Sequence, residues 1–371
     1  MRVLIASDKF KGSATGAEVA AALGDGIRSV TPDAEIETVP VADGGEGTVE
    51  AAIASGFEAV SVRVTGPTGA PLDARFAVRG DEAIIEMAAA SGLDVLPRGE
   101  KAALTATSHG TGELIIAALD RGCTTIVLGV GGSANTDGGA GMLQALGVSL
   151  RAHDRPVRPG GAALAELVEV DASGLDPRLA GATIVLASDV DNPLLGDRGA
   201  ASVFAPQKGA SADDVAVLET GLRRFSELLE QQPGVRPAAG AAGAGAAGGV
   251  GYAALAVLGA RREPGIDVVQ RLTGLADRLA GVDLVITGEG SLDDQSLGGK
   301  TPLGVAAAAR AAGVPVVAVC GRSTLSEGQA AGAGFRRVYP LSELEPDAAT
   351  SMANARSLLV EVGARIATEF A

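Results

Sequence analysis

The chain has 371 residues, 47% of them apolar and 20% charged, with 30 basic against 45 acidic side chains and a net charge of −15. That composition supports a globular core rather than disorder, and the acidic surplus repels phosphate backbones and anionic lipid, so neither nucleic acid nor membrane is an expected partner. A length beyond about 250 to 300 residues predicts two domains. Aromatic residues make up only 2% and Trp is absent, so the core must be built from Ala, Val, Leu and Ile.

In chain order, the apolar run Val3 to Ala6 predicts a strand. Thr15-Gly16-Ala17-Glu18 is a capping box opening a helix that Pro32 closes. A second strand is expected over Glu35 to Val41, giving a parallel βαβ unit. The rhythm changes at Val60 to Ala88, where three β-rich runs are separated by Gly66-Pro67-Thr68-Gly69 and by Gly80-Asp81, turn chemistry that favours antiparallel hairpins. Strands at Ile126 to Val130 and Thr183 to Ala187 follow. The last 85 or so residues return to the opening style, with strands at Asp283 to Thr287, Val314 to Val319 and Arg336 to Tyr339, a helix over Pro302 to Ala312 and a C-terminal helix. The expected fold class is therefore α/β: a Rossmann- or flavodoxin-like doubly wound domain formed by both chain ends, 1–62 and 286–371, with a mixed α/β domain, 63–285, inserted.

Cys123 and Cys320 sit in or beside apolar runs, which predicts buried thiols and a reducing, cytoplasmic setting. The opening apolar stretch is too short for an export signal, and no segment is long and apolar enough to span a membrane.

Five lysines stand against 25 arginines, and four of the five, Lys9, Lys11, Lys208 and Lys300, adjoin glycine-containing loops. A compact ammonium suits a phosphate oxygen. Asp8-Lys9-Phe10-Lys11-Gly12 follows the first strand, and open α/β sheets bind ligands outside the carboxyl ends of their strands. Asp43-Gly44-Gly45-Glu46-Gly47 precedes a helix whose first N–H groups could receive an anion, and its carboxylates could hold Mg²⁺. The loop from Gly131 to Gly139 concentrates Ser133, Asn135 and Asp137 after a strand, and Asp189-Val190-Asp191-Asn192-Pro193 follows another. Carboxylates so placed suit a base or a metal ligand in phosphoryl transfer.

Gly299-Lys300-Thr301 is not a Walker A loop, because the required earlier glycine is Asp294. Thr301 and Pro302 nonetheless make a good helix start, and with Lys300 they form a candidate anion site. Gly243-x-Gly245-x-x-Gly248 matches a dinucleotide fingerprint but no strand is expected before it. The two histidines, His109 and His153, lack zinc-ligand spacing.

Together these segments resemble the bacterial class I glycerate kinases. The resemblance runs from Ala6-Ser7-Asp8-Lys9-Phe10-Lys11-Gly12 through Ala42-Asp43-Gly44-Gly45-Glu46-Gly47-Thr48, Glu86 to Leu93, Gly110-Thr111-Gly112-Glu113, Gly131 to Gly141, Ser188 to Leu194, Phe204 to Gly209 and Gly243 to Gly251, to Thr287-Gly288-Glu289-Gly290 with Asp293 and Gln295. It implies two α/β domains with the active site in the cleft between them, and transfer of the γ-phosphoryl of Mg-ATP to D-glycerate, with the resemblance leaning toward 2-phosphoglycerate as the product and 3-phosphoglycerate as the alternative. On that basis Asp189, Lys9 and Asp8 are the expected catalytic residues, with Asp189 taking the hydroxyl proton. Lys11, Asp43, Gly44, Gly45, Ser133, Asn135, Asp137, Asn192, Lys208, Glu289 and Lys300 are the expected substrate and phosphate contacts, and Asp293 and Asp43 the expected Mg²⁺ ligands. A monomer or homodimer is expected. The competing readings are a nicotinamide-dependent hydroxy-acid oxidoreductase, which needs a strand before Gly243, and a non-catalytic sugar-acid sensor, which has no use for clustered Asp and Lys.

Overall fold

The apolar runs at the two chain ends assemble into one parallel sheet. In the computed structural model, which describes every residue except Gly99, Gln295, Gly299 and Lys300, the strand Arg2–Ser7 lies between Glu35–Thr38 and Leu284–Leu292. Val316–Ser323 and Arg337–Pro340 continue outward from Leu284–Leu292, and every pairing is parallel. Within this unit the strand order is 2-1-3-4-5, the flavodoxin-like winding, whose switch point lies between the first and third strands. Both faces are covered, which is why the strands read as unbroken apolar runs. Val3, Ile5, Ile286 and Val319 join one core with the helices Gly16–Val30 and Ala355–Phe370, whereas Leu4, Ala6, Val285 and Ala318 join another with the helix Thr301–Ala311.

The helix Gly16–Val30 begins at the expected capping box, with Thr15 and Glu18 reciprocally bonded. It meets the C-terminal helix so closely that a Cβ on Gly26 would lie 2.0 Å from the Val360 carbonyl oxygen, and one on Gly363 2.3 Å from that of Leu23. The second strand is shorter than expected. Val39 N still donates to the Ile5 carbonyl at 2.9 Å, but Pro40 has no N–H to continue the ladder.

The inserted unit carries a six-stranded mixed sheet. Arg261–Glu263, Thr183–Ala187, Thr125–Gly129 and Glu82–Glu86 run parallel, and Pro71–Arg79 and Glu58–Thr65 add antiparallel hairpins at the turns expected from their glycines. A small three-stranded sheet, Arg155–Pro156, Ser149–Ala152 and Glu169–Asp171, sits apart from it. Phe76, Met87, Leu114, Leu128 and Phe225 are buried in its single core, where Phe225 meets Tyr252 edge to face at 6.1 Å.

Compactness divides the chain into Met1–Asp43 with Ile266–Ala371, and Gly44–Gly265. The junctions thus fall at 43/44 and 265/266, not at 62/63 and 285/286. The change of rhythm at Val60 comes one helix too late: Thr48–Ala54 already belongs to the insert, because the Glu86 carboxylate accepts from Gly47 N and Val49 N. At the other junction, Leu275, Leu279 and Val282 pack with Leu4 and Val285, so the chain has rejoined the first unit before the strand at Leu284 begins. Both cysteines are free and buried, and no described helix is long and apolar enough to cross a membrane.

Candidate active site

At the switch point of the first unit, the sequence-selected residues Asp8, Lys9, Lys11, Asp43, Glu289 and Asp293 line one pocket of about 730 Å³. This is the carboxyl edge of the sheet, where such folds take ligands. Asp8 Oδ1 accepts from the backbone N–H of Lys9 at 2.7 Å and Oδ2 from the Thr301 hydroxyl at 3.3 Å. Burial, and next the Asp43 carboxylate, push the Asp8 pKa up from 3.8 to about 6, against the pull of Lys9 and Thr301. The buried Phe10 anchors a tight turn, closed by its N–H donating to the Ala14 carbonyl at 2.8 Å, and so fixes where the two flanking lysines start.

Asp293 takes part in a local turn, its Oδ1 accepting from Ser296 N at 3.4 Å and its Oδ2 from the Ser291 hydroxyl at 3.5 Å. Lys300 lies outside the described residues, as does Gln295. Among the described residues no three Asp, Glu, His or Cys side chains gather into a metal cage. Mg²⁺ does not need one, since it is commonly held by one or two carboxylates together with water and phosphate oxygens. Asp8 and Asp43, which repel each other, match that smaller donor set. Arg322 also lines the pocket and donates from Nε to Ser291 Oγ at 3.1 Å. Sequence reasoning missed it because the strand that carries it was expected to stop at Val319 and instead pairs on to Ser323.

In the second unit the centre of the polar cluster is a buried lysine. Lys208 is 1% exposed, and its Nζ donates to Ser133 Oγ at 2.8 Å and to the Asn135 carbonyl. Burial draws its pKa down from 10.5 to about 7, with Asp137 opposing. Asp137 itself is taken up inside the loop. Its Oδ1 accepts from Asn135 Nδ2 at 2.8 Å and Gly139 N at 3.1 Å, and its Oδ2 accepts from Ser108 N and Oγ, both at 2.8 Å, and Gly141 N at 3.2 Å. Five donors satisfy both oxygens, so the loop holds Asp137 in a fixed place. Ser108, which no motif singled out, is its main partner and also accepts from Met142 N at 2.9 Å.

Asp189 Oδ1 accepts from Gly265 N at 2.8 Å, where the helix Gly265–Thr273 starts. Asn192 is used twice in structure: Nδ2 donates to the Arg198 carbonyl at 2.8 Å and its own carbonyl accepts from Gly245 N at 2.8 Å. Arg262 steadies the same loop, pairing with Asp191 at 2.6 Å and donating to the Ser188 carbonyl at 3.2 Å.

Two expectations for glycine segments change. Gly129 and Gly131 let the neighbouring strand end come close to Asp43-Gly44-Gly45, since a Cβ on Gly129 would lie 2.3 Å from the Gly44 carbonyl oxygen and one on Gly131 2.8 Å from Gly45 Cα, and Gly44 itself has a positive φ of 82° with its own Cβ position 2.6 Å from Gly265 Cα. At the helix start that follows, Gly47 N and Val49 N donate to Glu86, so a carboxylate of the protein occupies the place expected for an anion. No strand precedes Gly243. That segment instead buttresses the Ser133 to Asp137 loop, with Ala247 in the left-handed region at φ 53° and its carbonyl accepting from Asn135 Nδ2 at 3.2 Å. The context for dinucleotide binding is therefore absent there.

The sequence matches the profile of the Glycerate kinase family over residues 3–371. It is 46% identical over 332 residues to the glycerate 2-kinase of Escherichia coli K12, covering 87% of this chain and 86% of that one. It is 46% identical over 327 residues to the glycerate kinase of Bacillus subtilis 168, covering 86% and 85%. A crystal structure provisionally assigned as glycerate kinase 2 from Salmonella typhimurium LT2 superposes with a TM-score of 0.83 at 41% identity, over 100% of this chain and 98% of that one.

Proposed function

The chain belongs to the glycerate kinase family, and from that membership we propose that it transfers the γ-phosphoryl group of ATP to the 2-hydroxyl of D-glycerate, releasing 2-phosphoglycerate and ADP. The observation that carries this reading is the grouping of Asp8, Lys9, Lys11 and Asp43 around one pocket at the switch point of the first unit. Phosphoryl transfer needs little covalent chemistry from the protein. It needs positioned cations for the equatorial oxygens, carboxylates for a divalent ion and a proton acceptor for the attacking hydroxyl.

We assign Lys9 and Lys11 to the phosphates, and Asp8 and Asp43 to Mg²⁺ and the water around it. When bound, Mg²⁺ would supply positive charge against the negative charge that grows on the leaving ADP. In the second unit we assign Asp189 the proton. As the acceptor oxygen bonds to the γ-phosphorus and the bond from that phosphorus to the β-bridging oxygen breaks, the hydroxyl proton passes to the Asp189 carboxylate, whose Oδ1 is held in place by Gly265 N. Lys208, anchored by Ser133 and Asn135, supplies a positive charge in the same unit. The name of the Escherichia coli relative, a glycerate 2-kinase, favours the 2-hydroxyl. The test is ADP release by the purified enzyme with ATP, Mg²⁺ and D-glycerate. We expect release that depends on D-glycerate and falls by about a hundredfold or more in Asp189→Asn, the loss typical of removing a general base. ADP release that ignores D-glycerate, or an Asp189→Asn enzyme with parental turnover, would overturn this assignment.

A further inference from the structure

The first-unit pocket is far larger than a three-carbon acid requires. About 730 Å³ is the scale of a site for a nucleotide-sized molecule. It is also chemically divided. Its lining is of two kinds: Lys9, Lys11, Arg322 and carboxylates that include Asp8 and Asp43 at the carboxyl edge of the sheet, and Pro346, Ala348 and Met352, beside Glu345, beyond the last strand. A nucleoside triphosphate bound with Mg²⁺ joins an anionic chain, matched to the lysines and the metal-holding carboxylates, to a flat apolar group.

Met352 gives the apolar end its character. It is 47% exposed, so the core does not need it, yet its thioether lies across the lysine turn: a Cβ on Gly12 would be 3.0 Å from Met352 Cε. Methionine is a flexible, polarisable side chain that packs well against aromatic faces. Met352 stands on a short helix, Ala348–Ala353, set by Asp347, whose Oδ1 accepts from Thr350 N at 2.9 Å. Pro346 just before it fixes the chain's approach.

We propose that Met352, Pro346 and Ala348 form the subsite for the purine base of the nucleotide, with its phosphates towards Lys9 and Lys11. The inference rests on the reading of the enzyme as ATP-dependent and names where the base is held. Ala348 is exposed at the first position of its helix, so a larger side chain there fills the pocket without entering the core.

The experiment is calorimetric titration of the full-length parent, Ala348→Phe and Met352→Ser with ATP and, separately, with inorganic tripolyphosphate, alongside the KM for D-glycerate. We expect ATP affinity to fall about tenfold in Ala348→Phe and several-fold in Met352→Ser, the scale of one lost apolar contact. Tripolyphosphate affinity and the KM for D-glycerate should stay within about twofold, which also reports that the variants are folded. Unchanged ATP affinity, a parallel loss of tripolyphosphate, or a loss confined to D-glycerate would each overturn the subsite. A parent that binds ATP but transfers nothing to D-glycerate would overturn the kinase chemistry while leaving the base subsite supported.

Discussion

Lys208 carries the clearest conflict between stability and function at the scale of single residues. A buried ammonium held by one hydroxyl and one carbonyl is costly, and burial has drawn its pKa down to about 7. Because the folded-state value lies below the unfolded one, the contribution of this group to stability is present above about 10.5 and lost as the pH falls through about 7. Lys208→Met should therefore raise the thermal midpoint at pH 6, with the gain shrinking as the pH is raised from 7 towards 10. Its kcat/KM should fall by about a hundredfold or more, as when a preorganised charge is removed from a site. Melting curves across that range, with kinetics at pH 6 where the lysine is charged, check both halves, and a variant that melts lower at every pH while retaining activity would contradict the account. The burial itself was not legible in the sequence, where Lys208 looked like any lysine beside a glycine. Its partners Ser133 and Asn135 lie more than seventy residues away, and so do Arg262 and the loop it steadies.

At the scale of elements, local signals translated well. The capping box at Thr15, the apolar strands of the chain ends and the hairpins after Val60 each depend on a few adjacent residues, and each forms where such residues dictate. What could not be read was which element meets which. Glu86 closes the start of a helix 39 residues earlier, and Ser108 holds Asp137 across 29, so an apparent anion site and an apparent ligand contact are both satisfied from within. The crossing of Gly16–Val30 with Ala355–Phe370 is another such contact, and it yields a sharp expectation. With a Cβ only 2.0 Å from the Val360 carbonyl, Gly26→Ala must separate the two helices. The cost should be about 3 kcal/mol, the upper range for overpacking, although alanine is the better helix former. Denaturant unfolding measures it, and a neutral or stabilising substitution would show that the helices have room to part.

For the whole molecule, the division at 43/44 and 265/266 leaves no sheet and no core shared between the units: the first has one sheet between two cores, the second two sheets and one core. The alternation of strands and helices at both ends made the discontinuous unit legible, whereas the exact junctions depended on packing of Leu275 and Leu279 that no local pattern announces. The net charge of −15 acts at this scale too. Both substrates of the proposed reaction are anions, so the distant field opposes their approach, whereas Lys9, Lys11 and Lys208, in the roles proposed for them, would attract them nearby. Salt shortens the reach of the field from about 30 Å at 0.01 M to about 8 Å at 0.15 M, which screens the distant repulsion more than the close contacts. The kcat/KM for D-glycerate should accordingly rise, by about twofold, over that range. A steep fall would mean that local cations dominate even at long range.

The most direct test of the central claim is the identity of the product. Purified enzyme with ATP, Mg²⁺ and D-glycerate, followed by phosphorus and carbon NMR, should give 2-phosphoglycerate in step with ADP. Formation of 3-phosphoglycerate, or of inorganic phosphate in its place, would contradict the proposed transfer to the 2-hydroxyl.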